Sequence, residues 1–174
     1  MNRVKLLSLS TLLVSTLLFA CAGKTQKAKV QAQESIEWAT CNVGEKGQFV
    51  SSSEEYGNLY TWEEAQNVCP EGWRLPTKKE LEALGEGSYI TKNGVNGREF
   101  GNGDDKIFLP AYGFISSGSS SIYFYKEDGY YWSSDTDKES FYGPCVFLVF
   151  RNNMSSVTSG SGESRMSVRC VRDK

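Results

Sequence analysis

Apolar and polar positions follow three different rhythms along this chain. A largely apolar run, Leu6 to Phe19, comes first, behind a basic start with Arg3 and Lys5. It is short for a membrane span and ends quickly, which predicts a secretory signal over residues 1–20. The segment from Ala22 to Gln33, "AGKTQKAKVQAQ", is small, polar and basic, with no aromatic residue. It reads as part of a tether over residues 21–35, and a folded domain is expected over 36–174.

A helical rhythm follows. Trp62, Ala65, Gln66 and Cys69 recur at the spacing of one helix face. Thr61 with Glu64 three residues on forms a capping box, and Pro70 and Gly72 stop the helix. The device repeats at Thr77 and Glu80, with Leu81 and Leu84 packing and Gly85 ending the turn. Two short helices are therefore predicted in the first half.

The second half has the rhythm of strands. "KIFLPAYGFI", "SIYFYK", "GYYWSS" and "PCVFLVFR" are β-branched and aromatic, and polar turns separate them. "GVNGREFGNGDD" reads as hairpin loops, with Asn-Gly pairs at 93–94, 96–97 and 102–103. In "RMSVRCVR", Met166, Val168 and Cys170 alternate with Arg165, Ser167 and Arg169. A period of two puts Cys170 on the core face of the last strand.

The cysteines sharpen this picture. They stand at 21, 41, 69, 145 and 170, and no pair has CxxC spacing. Cys21 closes the apolar run in "LFAC". This stretch resembles a bacterial lipobox, with a bulky Phe19, and the resemblance implies cleavage before Cys21 and lipidation of its thiol. Four cysteines then remain in a disulfide-permissive compartment. An inward helix cysteine and an inward terminal-strand cysteine predict a Cys69–Cys170 bridge. Cys41 and Cys145 pair by elimination.

Composition excludes several chemistries. The chain of 174 residues has no histidine, so His-based triads, bases and metal ligands are absent. The net charge is −2, and removing residues 1–20 with Arg3 and Lys5 leaves 17 − 21 = −4. No basic field for nucleic acid exists. Asp135, Asp137 and Glu139 alternate, but Ser140 stands where a calcium loop of EF type needs glycine. No metal or other cofactor is expected, and no nucleophile has a recognisable base beside it.

The stretches "YGNLYTWEEAQNVCPEGWRLPTKKELEAL", "IFLPAYGF", "GYYWSSD" and "SVRCVRD" resemble, in that order, the Fibrobacter succinogenes major paralogous domain. "WATCNVG" is similar to its opening in Bacteroides-type lipoproteins. The resemblance runs from about Ile36 to Asp173. It implies an α+β, C-type-lectin-like fold, close to that of the formylglycine-generating enzymes. Two short helices would then pack on a twisted antiparallel sheet, with the termini together. It also supports the Cys69–Cys170 bridge. The calcium-binding triplets of sugar-binding lectins and the closely placed cysteines of the enzymes are missing from this sequence, so neither activity is carried over.

Surface chemistry remains. Tyr123, Tyr125, Tyr130, Tyr131, Trp132, Phe141 and Tyr142 crowd residues 122–142, interleaved with Ser, Asn and Gly. Such mixtures combine rigid contact area with adaptable hydrogen bonding. A binding edge is expected over Tyr130, Trp132, Ser134, Asp135, Tyr142, Arg151 and Asn153. The function that follows is a non-catalytic, lipid-anchored envelope protein at the outer membrane. Its partners would be the membrane, through the anchor, and a protein or glycan ligand. A structural or envelope-assembly lipoprotein is the alternative, and a formylglycine-generating-type enzyme ranks last.

Overall fold

The computed structural model describes residues 35–174. The signal segment, Cys21 and nearly all of the tether lie outside the described residues.

Both capping boxes form. In α1 (Trp62–Ala65) and α2 (Lys78–Ala83), the side chains of Thr61 and Thr77 accept from the backbone of Glu64 and Glu80. The two glutamates reach back to the threonine backbone in return. Such caps contribute about 1 kcal/mol each. The first helix is shorter than its sequence spacing predicts. It ends at Ala65, and the chain turns through Asn67 before reaching Cys69.

The strands form four small sheets. β1 (Ile36–Trp38) pairs with the terminal β10 (Val171–Asp173), so the ends of the described chain meet. β2 (Ser88–Lys92), β3 (Val95–Phe100) and β4 (Ile107–Pro110) form a meander. Its first turn is Asn93-Gly94, both with positive φ, as a two-residue hairpin of this hand requires. The other two Asn-Gly pairs make no hairpin turn. Asn96-Gly97 lies inside β3, and Asn102-Gly103 opens a short 3-10 turn. β5 (Phe114–Ile115) pairs with β6 (Ile122–Tyr123). The central sheet is β7 (Gly129–Thr136), β8 (Cys145–Arg151) and β9 (Met154–Gly160).

Both faces of the β7–β8 pair are buried. One presents Tyr130, Trp132, Phe147 and Val149 to Ala65, Val68, Met166, Val168 and Cys170. The other presents Tyr131, Leu148 and Phe150 to Leu81, Phe100 and Leu109. The domain is therefore mostly sheet, with two short helices: α+β in class. Burial of these side chains contributes roughly 1.5–3 kcal/mol each before conformational entropy is set against it.

The Cys69–Cys170 disulfide forms, with Cα atoms 6.0 Å apart. The expected Cys41–Cys145 bridge does not: both are free thiols. The reason is placement. Cys145 is packed on β8 in the core, with its sulfur against Gly162, whereas Cys41 lies beside Thr40 Oγ1 at 3.6 Å.

The last segment departs from simple alternation. Met166, Val168 and Cys170 are buried, and so are Ser167 and Arg169 between them. Arg169 is 1% exposed. It donates to Asn42 Oδ1, Ala39 O and Phe108 O at 2.9, 2.9 and 3.0 Å. Burial pulls its guanidinium down to about 10. Tyr131 shares this network, accepting from Asn42 Nδ2 at 3.2 Å and donating to Pro110 O at 2.8 Å.

Candidate functional site

The residues of the expected binding edge are not brought together. Tyr130 and Trp132 lie in the core at 7% and 0% exposure. β7 is covered on both faces, so alternation along it leaves no outward aromatic. The Trp132 indole nitrogen donates to Tyr60 O at 2.7 Å. Ser134 is half-buried, and its backbone nitrogen donates to Pro76 O at 2.9 Å. Asp135 accepts from the Lys78 backbone at 2.7 Å, at the start of α2. Tyr142 is exposed in the β7–β8 connection. Arg151 and Asn153 lie at the opposite end of β8, where Arg151 pairs with Asp128 at 3.3 Å. The seven-residue span of β8 separates the two ends by roughly 20 Å. Asp137 Oδ1 accepts from the Glu139 backbone at 3.2 Å. Among the described residues no group of three or more acidic or thiol side chains gathers as a metal site.

A different aromatic surface is assembled. Tyr56 and Tyr112 stack with centroids 4.5 Å apart and planes 9° from parallel. Tyr125 closes on both at 5.7 and 5.8 Å. Two glycines allow this approach. Gly57, at φ 72, passes so close to Val43 O that a Cβ would stand 2.2 Å from it. Gly113, at φ 80, would place a Cβ 2.1 Å from Tyr123 O. Each glycine follows a stacked tyrosine, so the backbone lies flat against its support where the ring projects.

The support is tied down by backbone bonds. Gly113 N donates to Asp128 O, and Lys126 N to Ala111 O, at 2.8 and 3.0 Å. Asn58 N donates to Val43 O at 3.1 Å. Tyr60 exchanges both bonds with Met166 at 2.9 Å, and its hydroxyl donates to Gly44 O. The aromatic surface therefore rests on the disulfide-bridged core rather than on a free loop.

Three shallow depressions meet on this surface. One of about 660 Å³ lies between the tyrosine stack and Gln48 and Glu55. One of about 380 Å³ lies between Tyr112, Asn58, Ile122 and Arg165. One of about 310 Å³ lies beyond Tyr60, against Lys46, Asn67 and Val68. The first two share Asn58 and Tyr112, and the second and third share Tyr60 and Glu64. They run together as one open groove.

Its charge is mostly acidic. Glu45, Glu54, Glu55 and Glu64 line it, against Lys46 and Arg165. Glu54 pairs with Lys92 at 3.0 Å, and that bond holds its carboxyl below the usual carboxylate range. Burial pushes the Tyr56 and Tyr60 phenols up, so both remain neutral hydroxyls at ordinary pH. The groove thus offers aromatic faces, phenol and amide donors, and carboxylate acceptors.

Sequence reasoning missed these residues. The dipeptide Tyr-Gly occurs at 56–57, 112–113 and 142–143, and only the first two belong to the stack. Nothing in the linear order showed that the two meet. The run "KIFLPAYGFI" predicts one strand through Tyr112, but it forms β4 and β5 with Tyr112 in the loop between them.

Comparison with known proteins gives one clear relationship. The Fibrobacter succinogenes major domain matches residues 19–172. A search of curated proteins returns no match, and neither does a search of solved structures. The match covers every described helix and strand up to Arg172, one residue short of the end of β10, and extends back through Cys21. The chain belongs to the Fibrobacter succinogenes major domain family.

Proposed function

We propose that this protein is a lipid-anchored, non-catalytic ligand-binding protein of the cell envelope, with a C-type-lectin-like fold. The observation that carries the reading is the aromatic groove on a rigid support. Large rings at low entropic cost, beside amides and carboxylates, are what recognition surfaces use. The exposed Tyr123, Phe124 and Tyr125, at 46–48% exposure, continue the aromatic surface beside it. Paired termini, two capped helices on one sheet and a bridge to the terminal segment support the lectin-like assignment.

The anchor is Cys21, placed at the end of the apolar run. Acylation there holds the domain at a membrane, with the outer membrane as the proposed location. The ligand is a protein or a glycan. Full-length protein and the Cys21→Ala variant, compared by membrane fractionation and by mass, test the anchor. Persistent acylation and membrane association of Cys21→Ala contradict it. Saturable binding of the purified protein to a glycan or peptide panel supports the recognition role. A protein that binds neither panel is a structural lipoprotein instead.

A further inference from the structure

We infer that the ligand of this groove is a neutral glycan chain, whose sugar rings lie along Tyr112, Asn58 and Tyr60. The inference rests on the ligand-binding reading above. Its first support is how the backbone is used. A peptide entering as an added strand needs a row of free backbone donors and acceptors. Here much of the rim is already paired. Gly44 N donates to Gln48 O, Val50 N to Asn42 O and Asn58 N to Val43 O, and Tyr60 is bonded to Met166 in both directions. Recognition in the groove falls to side chains.

Those side chains suit hydroxyl groups. A sugar hydroxyl donates one hydrogen bond and accepts others. Asn58 offers both functions, Glu45 and Glu64 accept, and Arg165 donates. The C–H faces of a pyranose ring are apolar and flat enough to lie on a tyrosine ring, and Tyr112 lines two adjoining depressions.

Charge selects among glycans. With Glu54 neutralised by Lys92, Glu45, Glu55 and Glu64 still outnumber Lys46 and Arg165, which disfavours uronic or sulfated chains. Shape selects among sizes. An open groove formed from three adjoining depressions fits an extended chain better than one small enclosed molecule. The stack of Tyr56 on Tyr112 fixes the platform before the ligand arrives, which lowers the entropic cost of binding.

The test uses full-length protein purified in detergent. It is assayed against immobilised neutral polysaccharides (glucan, mannan and galactan), anionic ones (polygalacturonate and heparin) and a peptide library. The expected result is retention by at least one neutral polysaccharide, unchanged by EDTA. Tyr112→Ala and Asn58→Ala should each weaken it by about tenfold or more. Asn58 is exposed and donates to Glu45 Oε1 at 3.3 Å, so its truncation leaves the core intact and decides the matter if Tyr112→Ala folds poorly. Binding only to peptides or only to anionic chains overturns the glycan class and leaves the recognition role standing. Neutral-glycan binding untouched by Asn58→Ala overturns the placement. Silence across every panel overturns both the inference and the reading beneath it.

Discussion

Tyr56 stacks on Tyr112 with ring planes 9° from parallel, joining the loop before α1 to the loop after β4. Each ring precedes a glycine held in left-handed backbone. This pairing predicts a joint effect. Gly113→Ala must strain the backbone against Tyr123 O, and so displace Tyr112 from Tyr56. Its expected cost is about 1–3 kcal/mol, seen as a lowered melting temperature together with weakened ligand binding. Unchanged values for both would contradict the role assigned to this glycine.

The disulfide prediction concerns the ends of the fold. Cys69 and Cys170 are 101 residues apart in sequence. Closing a loop of that length stabilises by about 4–5 kcal/mol in the chain-entropy model. Cys170→Ser should therefore lower the melting temperature by about 10 °C or more in oxidising buffer. The gap to wild type should shrink under reduction. Non-reduced peptide mapping should show Cys69 linked to Cys170, with Cys41 and Cys145 both alkylatable after unfolding. In the native state Cys41 should react first. Cys145 is buried, and burial also pushes its thiol up, away from the reactive thiolate.

Asp135 is expected to matter for stability alone. Its carboxylate accepts from Lys78 N at 2.7 Å, where α2 begins. Asp135→Ala should cost about 1 kcal/mol, as removal of a helix cap does. Ligand affinity should not move, because Asp135 is not among the groove residues. A calorimetric melt beside a binding isotherm separates the two outcomes.

Tyr130 and Tyr131 make the fold sensitive to alkali. Burial pushes both phenols up to about 12 from an ordinary value of 10.0. A raised pKa means that the folded state holds the proton more tightly than the unfolded chain. The associated stability is full below pH 10 and is lost as pH rises from about 10 to 12, where the unfolded chain has already ionised. Tyr131 contributes on the order of 3 kcal/mol to this loss, and Tyr130, whose hydroxyl bonds to Asp128 beside the exposed Arg151, contributes less. Denaturant titrations at a series of pH values should show the fall. Tyr131→Phe should flatten it while costing stability at neutral pH, because Asn42 and Arg169 lose a polar neighbour.

Local signals in the sequence were read well, and long-range ones were not. Thr61 with Glu64 and Thr77 with Glu80 fixed both helix starts, because capping is decided within four residues. Cys69 and Cys170 meet as expected although Cys69 follows the end of α1 and Cys170 precedes β10, because both still turn into the same core cluster. Tyr130 and Trp132 were expected at a binding edge because alternation along β7 assumes that one face meets water. Here α2, β3 and β4 cover one face, and α1 with the terminal segment covers the other, so Tyr130 and Trp132 lie inside. The pairing of Cys41 with Cys145 failed for a related reason. Elimination uses no geometry, and the Cys145 sulfur is packed against Gly162. Arg169 was legible only as one polar position of an alternating strand. Its burial depends on acceptors from two distant parts of the chain, Ala39 and Asn42 in one and Phe108 in the other.

The central claim is that recognition takes place in the groove along Tyr112, Asn58 and Tyr60. An amide-resolved NMR titration with a neutral oligosaccharide cut from the retained polysaccharide tests it most directly. The account predicts saturable shifts at Asn58, Leu59, Tyr60, Tyr112 and Ile122, with the amides of Asp135, Tyr142, Arg151 and Asn153 left in place. Shifts confined to those four residues, with the groove amides unmoved, would contradict it.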